Sequence, residues 1–157
     1  MMLPEMGALY RCWRDAKHAQ PLPTRQALGP EALRPWLGSL AIYERTAEGS
    51  DFRVRLDGTK IVALTGEDWT GRHLSEFDRR FGSDLLGCCL DVCRTRLPLF
   101  DSALPLVQKT YRIAQRLILP ISSHDGTEAS QVLMALVALK LGAESGRLAN
   151  RRLMLPG

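Results

Sequence analysis

Aromatic side chains are scarce in this chain: three Trp, three Tyr and four Phe in 157 residues. Nucleic-acid binding asks for clustered Lys and Arg with aromatics interleaved on one surface. The few aromatics here sit mostly in apolar patterns, so no nucleic-acid partner is expected. Charge of one sign is also in short supply. Lys and Arg number 21 against 17 Asp and Glu, a formal net charge of +4. That balance speaks to solubility and non-specific binding rather than to fold. Long hydrophobic runs are missing: the longest, Val132 to Leu139, is too short to cross a membrane. Met1 to Asp15 lacks the basic start and unbroken apolar core of a secretory signal. The expectation is a cytoplasmic protein with no membrane insertion.

Metal and redox chemistry find little to work with. The cysteines are Cys12, Cys88, Cys89 and Cys93. Zinc sites usually take four ligands in spaced pairs. Adjacent cysteines on a helix point well apart around its axis, and no second pair exists. Without an export signal the thiols are expected to be reduced, and buried as small hydrophobes. A redox-sensing thiol is the alternative. It would need exposure and a lowered pKa.

Catalytic motifs are lacking as well. Ser123-His124-Asp125 has the residue types of a hydrolase triad, but that relay is built from separate segments. The three read as a turn instead. Gly58 and Gly71 form no phosphate loop, and no carboxylate pair stands at acid/base spacing. The reading is a non-enzyme.

What is present centres on Asp51 to Phe77. Phe52, Val54 and Leu56 alternate with Arg53, Arg55 and Asp57, the period of a half-buried strand. Asp57-Gly58-Thr59 then turns the chain, and Ile61, Val62 and Leu64 mark a short amphipathic helix. Gly66 stands where a left-handed cap is cheapest. Thr70-Gly71 marks another turn, and Leu74 and Phe77 share a helical face.

The pieces Phe52-Arg53-Val54-Arg55-Leu56, Gly58-Thr59-Lys60-Ile61-Val62, Gly66-Glu67-Asp68 and Thr70-Gly71-Arg72 resemble the PAS sensor-domain family. Tyr111-Arg112 and Leu117 to Ser122 match the same bacterial branch, in which a PAS domain makes up most of a small protein. The resemblance covers about residues 20 to 141. It implies an α+β fold: a five-stranded antiparallel sheet, short helices on one face and a flanking N-terminal helix. The division is 1–19 for the flanking helix, 20–141 for the domain and 142–157 for a loose basic tail.

The rest of the chain fits that order. Leu3, Met6, Leu9, Tyr10 and Trp13 recur at helical spacing, and Pro21 and Pro23 stop the pattern. Pro30 to Leu37 reads as a short helix bent or ended by Pro35. Leu40 to Arg45 is the first strand. Arg79 to Arg96 reads as one long helix with Phe81, Leu85, Cys89 and Val92 on a stripe. Leu99 to Leu104 and Lys109 to Ile121 are strands. In the second, Tyr111, Ile113, Leu117 and Leu119 oppose Arg112, Ala114, Arg116 and Ile118. Leu, Ala and Met in Gln131 to Leu141 favour helix, but the hairpin turn at Asp125-Gly126 and the order the resemblance implies make it the last strand. Its unbroken apolarity means burial on both faces, so the N-terminal helix or a second subunit must cover the outer face.

The resemblance also implies a cavity between sheet and helices. Its candidate walls are Ile42, Phe52, Val54, Ile61, Leu64, Leu85, Cys89, Tyr111, Ile113 and Leu117, with Arg72 and His73 at its mouth. A small-molecule cavity is mainly apolar with a few orienting polar groups. The alternative is that these residues fill an ordinary close-packed core. Haem is not expected, because no His lies on the long helix where haem-binding relatives carry their ligand. Light-sensing flavin is not expected either, because Gly71 to Phe77 holds no Cys. The cofactor is otherwise open. The function implied is a signalling module that binds a small ligand or a partner protein. It would act by homodimerisation, through the N-terminal helix or the outer sheet face, or by docking on a signalling partner. A ligand-free interaction module and a cysteine redox sensor are the alternatives.

Overall fold

The structure, a computed structural model, describes residues 2–104, 111–140 and 151–157; at 103, 104, 111–113, 139, 140 and 151 it describes the backbone alone. Helix α1 is Pro4–Ala16, with proline in its first turn where the missing N–H costs nothing. Helix α2, Pro30–Leu33, runs into a 3-10 helix at Arg34–Ser39, the change expected at Pro35. Strands β1, Leu40–Arg45, and β2, Phe52–Asp57, pair antiparallel. Helix α3, Thr59–Thr65, ends at Gly66 with φ +81°, the left-handed cap its sequence asked for. Helices α4, Leu74–Phe81, and α5, Leu85–Thr95, follow. Strands β3, Leu99–Leu104, β4, Tyr111–Ile121, β5, Gln131–Lys140, and β6, Arg151–Met154, complete the fold.

The sheet is antiparallel in the order β2-β1-β5-β4-β3-β6. Six strands stand among the described residues, not the five expected. The sixth comes from the stretch expected to be a loose tail. Arg151 to Met154 pair with Ser102 to Leu99 along the free edge of β3. Two arginines in a basic segment gave no strand signal; the open β3 edge and two acidic partners supply what propensity does not.

The expected single helix from Arg79 to Arg96 is two helices. Gly82 takes φ +64° and breaks it, and Asp78 caps the second piece. The Asp78 carboxylate accepts hydrogen bonds from the backbone N–H of Leu85 at 3.0 Å and of Leu86 at 2.9 Å. The apolar stripe of the second piece is as expected: Leu85, Cys88, Cys89, Val92 and Cys93 are buried.

Register assigns the two faces of the sheet. Gln115 of β4 accepts the Leu3 N–H at the start of α1, so its side chain faces α1. Leu117 and Leu119 follow on that face at period two. Leu133 opposes Leu119, and Ile42 opposes Leu133, so both belong to the α1 face. Arg116 reaches Cys88 of α5, so Arg116 and Ile118 face α5. Through Pro120, Val132, Tyr43 and Val54, paired in turn, the α5 face runs across to β2.

The outer face is covered by the chain's own α1. Met6, Leu9 and Trp13 are fully buried on it, and the Trp13 indole donates to the Pro120 carbonyl at 2.8 Å. Both faces are therefore apolar, which is why β5 reads as an unbroken hydrophobic run.

Candidate functional site

Between α5 and the sheet lies a layer that is mostly apolar. Phe52 and Val54 of β2 and Leu85 and Cys89 of α5 are all buried in it. Ile61 and Leu64 of α3 are buried too. Those candidates are core residues. Ile42 and Leu117 do not join them: they lie on the α1 face, on the far side of the sheet. The alternation expected for β4 is there, but the side expected to face the helices faces α1. Period two says that two faces exist; it does not say which layer each one meets. The side chains of Tyr111 and Ile113 lie outside the described residues.

Arg72 and His73 lie in the exposed turn before α4. That turn is clamped to β2, where Val54 donates to the Arg72 carbonyl at 2.9 Å and accepts from Gly71 N–H at 2.7 Å. The Arg72 guanidinium lies 3.6 Å over the Trp69 ring and pairs with Glu67 and Glu76, each at 3.6 Å. His73 Nδ1 is 3.5 Å from Glu76. Arg72, held by the two glutamates, thus covers Trp69 from the surface. Trp69 itself is 1% exposed and edge-on to Phe77 and Phe81. Its buried indole N–H has no hydrogen-bond acceptor among the described residues. Such an orphan costs about 1–3 kcal/mol.

The polar heart of the layer is a set of residues that the sequence reading did not select. Arg116, 6% exposed, donates through Nη2 to Asp101 Oδ2 at 2.5 Å and through Nε to the same oxygen at 3.2 Å. The same Nη2 is 3.5 Å from Asp84 Oδ1 and from Cys88 Sγ. Arg152 of β6 completes the cluster, donating to Asp101 Oδ1 at 2.8 Å and to Asp84 Oδ2 at 2.6 Å. Two arginines thus face two carboxylates across β3, β4, β6 and the start of α5. The signal that could have found them is a directly opposed pair, Asp101 with Arg116, on neighbouring strands. Breaking such a buried pair costs about 3–5 kcal/mol, because the survivor stays charged and buried.

Electrostatics follows from this packing. Burial pushes the Asp84 carboxyl up, but hydrogen bonds and charge from Arg152 and Arg116 outweigh it and hold it low. Burial opposes the charge on Arg116, and its hydrogen bond to Asp101 more than restores it. Burial raises the Cys88 thiol despite Arg116 beside it, and raises Cys89 further with help from Cys93. Burial lifts Cys93 to about 11 against the pull of Arg45. The Tyr43 hydroxyl is held well above its ordinary value by burial, then by Cys89 and Asp57. Every cysteine is free, and no group of three or more metal-binding side chains occurs among the described residues.

An antiparallel sheet with short helices over a partly polar inner layer, and a helix laid on the opposite face, has the layout of a sensor-type α+β domain. A sequence model of the PAS domain matches residues 1–137, and the chain belongs to that family. The match begins at residue 1 and so takes in α1. No curated protein and no solved structure matches the chain. PAS domains are in general sensory or signalling modules without catalytic activity of their own. No helix among the described residues is long and apolar enough to cross a membrane.

Proposed function

We propose that the chain is a non-enzymatic cytoplasmic sensor. It takes a small ligand, or a partner protein, against the inner layer between α5 and the sheet, and answers through α1. One observation carries the reading. Neighbouring residues of β4 hold opposite layers: Gln115 binds the start of α1, and Arg116 binds Asp84 and Cys88 of α5. A shift of α5 that pulls on Arg116 therefore pulls on the strand that seats α1. The buried Trp69 N–H supports a ligand that brings a hydrogen-bond acceptor. A ligand acts here only by its different affinity for two packings.

Output then goes through α1 to a second copy or to a signalling partner. The outward side of α1 carries Glu5, Arg11, Arg14 and Asp15, all exposed and suited to polar docking. The apolar side of the same helix is already occupied by its own sheet, so a homodimer built on the outer sheet face would require α1 to leave.

The native mass of freshly purified protein against its denatured mass tests the reading. Extra mass lost on denaturation is the expected result. A native mass equal to whole chains alone would overturn a tightly held ligand.

A second reading has its own support. Phe52, Val54, Ile61, Leu85 and Cys89 all belong to one packed core. That filled layer favours a ligand-free interaction module, and whole-chain mass together with partner capture would select it. The redox alternative has less behind it: the three α5 thiols are buried and raised in pKa, the opposite of a reactive thiolate.

A further inference from the structure

The C-terminal residues touch both sides of the sheet. Arg152 of β6 binds Asp84 at the start of α5, on the inner side. Four residues on, the Pro156 carbonyl accepts a 2.6 Å hydrogen bond from the Tyr10 hydroxyl of α1, on the outer side. Between them Leu155 donates to the Pro98 carbonyl at 2.8 Å, just ahead of β3, and packs on the core edge. A Cβ placed on Gly157 would come within 3.8 Å of Lys17 Nζ, at the end of α1. One short segment thus wraps the sheet edge and holds a helix on each face.

The same segment is weakly held by burial. β6 has four residues and sits at the edge of the sheet. Leu153 is 37% exposed and Met154 42% exposed. Among the described residues its hold is backbone pairing with β3, half-buried Leu155 at the core edge, the Tyr10 bond, and Arg152, whose side chain is 48% exposed and binds buried Asp101 as well as Asp84. Elements with few buried apolar contacts open at lower free energy than the core. Its key contact, Asp84, starts α5, the helix that would move if the inner layer changed. Losing Asp84 as a partner takes away one of the two carboxylates that hold Arg152.

We propose that residues 151–157 form a releasable strap that couples α5 to α1 around the sheet edge. While docked, it holds both helices on the sheet. When α5 shifts, Arg152 loses Asp84, the strand lifts from β3, and α1 loses its Tyr10 anchor. The inference rests on the sensor reading only in assigning α5 to the ligand layer.

Backbone hydrogen exchange on the full-length chain tests it, without any ligand. Arg152→Met removes both ion pairs of the strap and leaves Arg116 with Asp101 and Asp84. Expected is exchange about tenfold faster or more in 98–102, in 151–157 and in 10–16, with β1 and β2 unchanged. Tyr10→Phe removes the outer anchor alone. Expected is acceleration of about two- to fivefold in 151–157 and 10–16. If 98–102 and 151–157 loosen in Arg152→Met while 10–16 keeps its protection in both variants, the segment is an ordinary edge strand and the strap is overturned. No change in any segment overturns it too. If Arg152→Met unfolds the whole chain, Tyr10→Phe decides: faster exchange in 151–157 supports the strap, and unchanged exchange sinks it. Failure here leaves the mass measurement, and so the ligand reading, untouched; a chain without bound mass leaves the strap standing.

Discussion

Cys93 lies on the buried stripe of α5 with Arg45 of β1 acting on it from across the layer. Burial dominates and lifts its thiol from the ordinary 9.0 to about 11. Cys89, deeper, moves in the same direction. Near pH 9 an unfolded chain begins to lose these protons while the folded chain keeps them. Stability from the protonated thiols is therefore full below about pH 9 and is lost as pH rises through the folded values. The urea midpoint should fall between pH 9 and 11, and Cys93→Val should remove part of that fall. A midpoint rising over the same range would show the thiols to be ionised in the fold. Burial of these cysteines was legible from their helical spacing. Their neighbour Arg116 was not singled out, because an arginine in an alternating strand reads as solvent-facing until its carboxylates are placed.

Elements show where local pattern suffices and where it stops. The left-handed cap at Gly66 needed nothing beyond the α3 segment itself. Gly82 is the harder case, because one apolar stripe continues from Phe81 to Val92 and reads as a single helix. Asp78 resolves it by binding the Leu85 and Leu86 N–H groups, which a continuous helix would have used internally. Gly82→Ala places a Cβ at φ +64° and should cost about 1–2 kcal/mol by urea denaturation. A stabilised variant would mean that the break between α4 and α5 is not needed. The faces of β4 belong here too. Leu117 was read as facing the helices, yet it lies under α1, because a sheet covered on both sides leaves no polar face to orient the strand. Arg72 and His73 sit on a turn clamped to β2: Arg72 closes over Trp69 from outside, and His73 turns to Glu76.

At the scale of the whole molecule, α1 is an integral layer of the fold. It supplies Met6, Leu9 and Trp13 to the core, accepts a hydrogen bond from the Trp36 indole at the Glu5 carbonyl, and donates one from the Trp13 indole to the Pro120 carbonyl. Trp13→Ala should cost about 3–5 kcal/mol and expose the apolar sheet face to a hydrophobic dye. A loss below about 1 kcal/mol would mean that α1 does not rest on its own sheet in solution.

The chain's own pattern carried the burial of the α5 stripe and the unbroken apolarity of β5; the motif resemblance carried the PAS family and the strand order through β5. The first two are written in helical spacing and in an apolar run; the family is written in motif pieces such as Gly58-Thr59 and Thr70-Gly71-Arg72. Tertiary structure alone decided that α1 covers the outer face, which face of β4 meets which layer, and that Arg151 to Met154 become a strand. Those choices depend on partners far along the chain. Asp101 and Asp84 lie 51 and 68 residues from the Arg152 they hold, beyond the reach of any local pattern.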